Sequence, residues 1–337
     1  MDLGPDGTPR APLHVLDLDP WASAPASAIE EEADRVGAAL AVTIGTASSP
    51  PTPALAPLVG ALSLTLAPTG TSDRGCVPVD DPGAELAAIT QAVAARPRAA
   101  VLLGQLLRGT AVMPTGPALA AEAATYSVLL GGPEFAAWRS GRPTREPDDR
   151  STGDRVRMIR SDDSLELVLD RPDRRNALDA AARAALADAL DLVLLDTTVR
   201  RVHLRGAGPV FSAGGDLDEF GTATDLSAAA LVRLERAPWR QLDLLGRRGV
   251  RTEVTVQGAA VGAGLEIAAF AGHVRCLPDA WFALPELGMG LVPGAGGTVS
   301  VPRRIGRHRA TWLMLTGHRL DAATALAWGL VDEIVAP

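Results

Sequence analysis

From residue 155 onward, short apolar strands and alanine–leucine helices alternate along the chain, and this order constrains the fold more than any single motif. Residues 164–169 read as a strand, 179–195 carry alanine and leucine at helical spacing, and 200–204 form a second strand. Residues 228–246 are helical, and 250–257 make a further strand that runs into a glycine segment. Strand, helix and strand in this order predict parallel pairing through right-handed crossovers, and hence an α/β fold. Hydrophobic residues make up 47% of the chain but aromatic ones only 4%, which suits small-side-chain packing of helices on sheets.

The first 140 residues are less regular. Strands are expected at 13–18, 39–44, 61–66 and 99–103, and a helix at 82–95. Several segments run in the same order as the second half: 61–70 beside 199–208, 82–103 beside 226–256, and 119–138 beside 264–284. Two explanations stand: a degenerate internal repeat with insertions, or alanine-rich α/β segments that align by composition. Between the halves, residues 140–154 are polar and rich in proline and charge, and read as a linker. The expected division is therefore a non-catalytic α/β region at 1–139, the linker, and a catalytic domain at 155–337.

A net charge of −8 and the lack of any basic run with interleaved aromatics argue against a nucleic-acid partner. The chain has no lysine, so no side chain is available to act as a Schiff-base lysine. Cys76 and Cys276 have no metal-type spacing and fit a reducing compartment, for which the cytoplasm is the expectation. The amino terminus lacks a basic stretch followed by an apolar core, and no run reaches about eighteen uninterrupted apolar residues, so no membrane association is expected.

Chemistry is concentrated at two glutamates. Glu266 stands in Val-Gly-Ala-Gly-Leu-Glu-Ile-Ala-Ala-Phe, and Glu286 in Ala-Leu-Pro-Glu-Leu-Gly-Met-Gly-Leu-Val-Pro-Gly-Ala-Gly-Gly-Thr. Buried carboxylates in such settings can have their pKa values pushed apart into an acid and a base. Gly262, Ala263 and Gly264 precede a short apolar helix, and a second small-residue turn runs Phe-Ser-Ala-Gly-Gly-Asp-Leu from Phe211 to Leu217. Two such turns can aim one N–H each at a single oxygen, which is the device that stabilises an enolate or a tetrahedral oxyanion. His14, His203, His273, His308 and His318 are scattered, with no pair at ligand spacing.

Taken in order, these segments resemble the crotonase, or enoyl-CoA hydratase/isomerase, superfamily. The likeness rests on Leu-Asp-Arg-Pro-Asp-Arg-Arg-Asn-Ala-Leu at 169–178, the turn at 210–217, the run from Val256 through Glu266, the run from Leu284 to Thr298, and 315–320 with 327–332. The resemblance implies a spiral of ββα units that binds an acyl thioester of coenzyme A or another pantetheine carrier, with no separate cofactor and no metal. It implies Gly215 and Ala263 as the two oxygen donors, Glu286 exchanging the Cα proton, and Glu266 activating water at Cβ. Both acidic positions are glutamate, as in the hydratases of the family, so hydration or dehydration of a 2-enoyl thioester is expected. Isomerase, decarboxylase, hydrolase or catalytically quiet acyl-CoA-binding outcomes are the alternatives.

By the same likeness Arg171, Asn176, Ala177, Ala213, Gly214, Asp216, Leu217, Gly262 and Gly294 line the substrate and coenzyme A region. For Arg171 and Asn176 a capped turn leading into the following helix is an equal alternative. Asp218 and Glu219 occupy the stretch where many relatives carry a basic residue, so Arg174 and Arg175 are the expected phosphate partners. The chain ends at Pro337, before the helices that in typical members cover the site and build a trimer, so the first half is expected to compensate. A homo-oligomer is expected, a trimer among the options. Glu122 and Glu134 read as ordinary helix or turn carboxylates.

Overall fold

A computed structural model describes residues 2–142 and 154–336. Most of the expected linker, residues 143–153, lies outside the described residues. Strands Leu13–Asp17 (β1), Val42–Thr46 (β2), Leu64–Pro68 (β3) and Val77–Val79 (β4) form a parallel sheet in sequential order. β2 and β3 are buried at four consecutive positions each, the run expected of parallel strands covered on both faces. Both start three residues later than the sequence suggests; the Ala56–Ala61 helix occupies the position at which the sequence places the start of β3.

One expected strand, 99–103, is instead part of the Pro97–Thr110 helix. Pro97 opens that helix, where its missing N–H has no intrahelical role, and Ala99, Ala100, Leu103, Leu106, Leu107 and Thr110 recur at helical spacing on its buried side. A five-residue apolar run carries no period long enough to separate strand from helix.

The second half contains Val156–Ser161 (β5), Ser164–Leu169 (β6), Arg201–Gly206 (β7), Arg251–Val256 (β8), Ala259–Val261 (β9), His273–Cys276 (β10), Trp281–Ala283 (β11), Leu320–Asp321 (β12) and Glu333–Ile334 (β13). A six-stranded sheet runs β13-β10-β8-β7-β6-β5, parallel except for the β5–β6 hairpin. β9, β11 and β12 make a second, three-stranded sheet. Every other residue of β7 and β8 is buried, so one face packs on helices. The Asp179 carboxylate starts the Ala180–Leu195 helix by accepting from Ala182 N at 2.7 Å. The helix expected at 228–246 is two, Leu226–Glu235 and Pro238–Arg247, because Pro238 cannot continue the hydrogen-bond ladder of the first.

The third of the aligned segment pairs does not share its elements. Residues 119–138 lie in two helices, Thr115–Leu130 and Pro133–Ser140, whereas 264–284 hold the Ala263–Ala268 helix followed by β10 and β11. The halves nevertheless close on one another. A single apolar cluster joins Ile44, Leu66 and Leu103 to Leu167, Leu204, Phe282 and Leu313. Polar bonds flank it: Arg307 donates to Leu62 O at 2.7 Å, Arg309 to Cys76 O at 3.2 Å, and the Trp312 indole N–H to Glu85 at 2.7 Å.

Candidate active site

Two turns leave the C-terminal ends of β7 and β8 and are laced together by backbone bonds: Phe211 N to Gln257 O at 2.8 Å, Ser212 N to Ala259 O at 3.1 Å, and Val261 N to Ser212 O at 3.0 Å. Where they meet, Gly215 N–H and Ala263 N–H have no acceptor among the described residues, and both residues remain half-exposed while Gly214, Gly262 and Gly264 are buried. The two expected donors thus lie on adjoining turns with unused N–H groups.

Glu266 sits in the first turn of the Ala263–Ala268 helix, 2% exposed, and its Oε2 accepts from Ala295 N and Gly297 N, both at 2.7 Å. Gly297 is required there, because a Cβ would come within 2.6 Å of Glu266 Cγ. Glu286 opens the 3₁₀ turn Glu286–Met289 just after β11 and is 6% exposed. Its Oε1 lies against Gly262, whose φ of +49° and lack of a Cβ, which would stand 2.6 Å from that oxygen, let the two groups meet. Its Oε2 is buried with no hydrogen-bond partner among the described residues.

A third carboxylate joins them, against expectation. Glu122, on the Thr115–Leu130 helix, is 2% exposed, and its Oε1 accepts from Gly296 N at 2.6 Å. Its Oε2 accepts from Thr298 N at 2.9 Å and from the Thr298 hydroxyl at 2.7 Å. Glu134, in contrast, does what an ordinary carboxylate does, accepting from Arg98 N and Ala99 N at the start of the Pro97–Thr110 helix. One turn beyond Glu122, the Tyr126 ring lies within 2.4 Å of where a Cβ on Gly294 would stand, and the Arg233 guanidinium sits 4.2 Å over that ring. Phe135 packs beside Gly221, and Glu134 beside Gly290 at the end of the Glu286 turn. The helices Thr115–Leu130 and Pro133–Ser140 therefore cover this region from the first half.

Burial pushes all three glutamates upward: Glu122 to about 7, Glu286 to about 8, and Glu266 well above the usual carboxylate range, where the charges of Glu286 and Glu122 add to the effect. Glu266 receives two N–H bonds and Glu122 three donors, all of which favour the anion. Glu286 is favoured as an anion only by its own backbone N–H, and its Oε2 has no donor among the described residues, so a shared proton is held better on Glu286 than on Glu266. Burial also raises the Tyr126 phenol to about 12 and lowers Arg233.

The other expected residues divide. Gly214, Gly262, Ala213 and Leu217 lie on the two turns, Ala213 donating its N–H to Arg175 O at 2.9 Å. Gly294 is buried beneath Tyr126. Asp216 is buried and takes the Arg171 guanidinium at 2.8 Å, with Asp179 3.1 Å from the same nitrogen. The Asn176 side chain is fully engaged by backbone, accepting from Arg171 N at 2.9 Å and donating to Ala207 O and Val210 O. Arg171 and Asn176 thus brace the turn that carries Arg174, Arg175 and Ala177. Arg174 bonds Asp218 at 2.7 Å, while Arg175 is exposed. The Glu219 carboxylate takes Arg183 and the Ala180 N–H.

An α/β spiral with two laced turns beside buried carboxylates defines the class; sequence defines the family. Residues 163–337, more than half of the chain, match the enoyl-CoA hydratase/isomerase family, and the chain belongs to it. It is 35% identical over 172 residues to the probable mitochondrial enoyl-CoA hydratase 2 of Arabidopsis thaliana, covering 51% of this chain and 56% of that protein. It is 35% identical over 170 residues to 2,3-dehydroadipyl-CoA hydratase of Escherichia coli, covering 50% of this chain and 65% of that protein. It is similar in fold to DspI of Pseudomonas aeruginosa, with a TM-score of 0.50 at 27% identity, over 57% of this chain and 72% of that one. The chain thus spans less than two thirds of the length of these two curated relatives. Glu122 lies outside the matched segment.

Proposed function

We propose that this protein adds water to a 2-enoyl thioester, or removes it from a 3-hydroxyacyl thioester, with Glu266 and Glu286 as base and acid. The observation that carries this reading is the pair of buried carboxylates beside two turn N–H groups that have no acceptor among the described residues. Gly215 N–H and Ala263 N–H receive the thioester oxygen and stabilise the charge that grows on it as an enolate forms. Glu266, held as an anion by Ala295 N and Gly297 N, takes a proton from water as its oxygen bonds Cβ. Glu286, holding the proton, delivers it to Cα. Water is consumed, and solvent exchange resets the two carboxyls.

The thioester carrier is coenzyme A or another pantetheine group, in keeping with the names of the relatives. A panel of enoyl- and 3-hydroxyacyl-CoAs followed by mass spectrometry tests the proposal. A gain or loss of about 18 mass units, one water as the reaction defines it, supports it. Loss of carbon dioxide, release of free coenzyme A, or an unchanged mass across the panel would assign another outcome.

A further inference from the structure

Successive N–H groups of one turn are divided between carboxylates from the two halves of the chain. Ala295 N and Gly297 N bond Glu266, while Gly296 N and Thr298 N bond Glu122. Neither set can move without carrying the other, because consecutive peptide planes share their Cα atoms. We propose that Glu122 is a positioning residue of this active site: it clamps the glycine turn that aims the Glu266 carboxylate, so the first half of the chain is part of the catalytic apparatus. This rests on the acid–base role given above to Glu266.

Three features make the clamp specific. The Thr298 hydroxyl adds a third bond to Glu122, at 2.7 Å. Tyr126, on the same helix, fills the space left by the absent side chain of Gly294 and so fixes the helix against the segment leading into the turn. Glu122 is the lone acid of an alanine–leucine helix, so no other carboxylate of that helix can take its place on the turn. The charged and titratable groups bearing on it are Glu266 on the Ala263–Ala268 helix, Glu286 on its 3₁₀ turn and Arg233 on the Leu226–Glu235 helix; Tyr126 stands beside it, with Arg183 acting on Tyr126 and Arg233.

The test is Glu122→Gln, nearly the same in shape but neutral, and able to accept from only one of the two N–H groups with its single oxygen. Relative to wild type, kcat on the thioester substrate falls by about 10–100-fold with KM changed by less than about threefold, and the ionisations in the pH–rate profile move acidward by about one pH unit as a neighbouring negative charge is lost. Thr298→Val, which removes only the hydroxyl bond, gives a smaller kcat loss in the same direction and stands in if Glu122→Gln does not fold. Glu134→Gln is the control: it removes a structural carboxylate of the same half, lowers Tm, and leaves the pH profile unmoved. Wild-type kcat and pH profile in Glu122→Gln, or the same profile shift in Glu134→Gln, would overturn the proposal. If the wild-type protein turns over no thioester, glutamate-carboxyl ¹³C NMR titration still decides: acidward displacement of Glu266 and Glu286 in Glu122→Gln supports the clamp, and unmoved titrations reject it.

Discussion

Glu266 and Glu122 hold the same four-residue turn from different halves of the chain, yet only one of them announces itself in the sequence. Glu266 lies two residues after Gly264 and belongs to an ordered set of motifs within the segment that matches the family. Glu122 lies outside that segment, and its partners are backbone groups 174 and 176 residues away. The second half builds its part of the site locally, from strand ends and glycine turns. The first half contributes from a distance, through helices packed over the Glu286 turn and the 294–298 segment and through the Glu122 hydrogen bonds to that segment.

If the second half carries the chemistry, the largest effects belong there. Glu286→Gln and Glu266→Gln should each lower kcat by about 10²–10⁴-fold with the fold intact, measured on the thioester identified by the mass panel and checked by circular dichroism. Near-wild-type turnover in Glu266→Gln would remove the water-activating role.

The next effect exposes the shared burial of the cluster. A carboxyl whose folded pKa is raised contributes stability that is fully present below its unfolded value near 4.5 and is lost as pH rises through its folded value, about 8 for Glu286 and about 7 for Glu122. Thermal stability should therefore fall between about pH 5 and pH 9, by an amount on the order of 2–4 kcal/mol, since a tenfold difference in proton affinity between folded and unfolded chain corresponds to about 1.4 kcal/mol and the glutamates influence one another. Glu286→Gln should flatten that slope; an equally steep slope would place the titrating group elsewhere.

Gly294→Ala probes the contact between the halves. Its methyl would stand 2.4 Å from the Tyr126 ring, and displacing that ring should cost about 1–3 kcal/mol in urea unfolding, with greater amide exchange along Thr115–Leu130 than in β6–β8. The smallest change expected is for Glu134→Gln, about 0.5–2 kcal/mol from weakening a helix cap.

What the sequence reveals follows the same division. The Ser164–Leu169 strand and the Asp179-capped helix are legible because alternation and an N-cap are local signals. The helix pair flanking Pro238 and the Pro97–Thr110 helix depart from the sequence-based expectation because apolar runs hide a break or a period. Of the site, Glu266, Glu286 and the two turns are visible as motifs. Glu122 is not, since two of its three donors are backbone N–H groups, which leave no mark on residue identity, and the third, the Thr298 hydroxyl, is 176 residues away. The one clue is an acid inside an alanine–leucine helix, with no basic residue within four positions to pair with it.

Incubation of an acyl-CoA substrate in deuterated water, with deuterium at Cα followed by mass spectrometry, tests the acid–base assignment most directly. Wild-type protein should place deuterium at Cα, and Glu286→Gln should lose that exchange. Absence of Cα exchange in the wild type, or equal exchange in Glu286→Gln, would contradict the assignment.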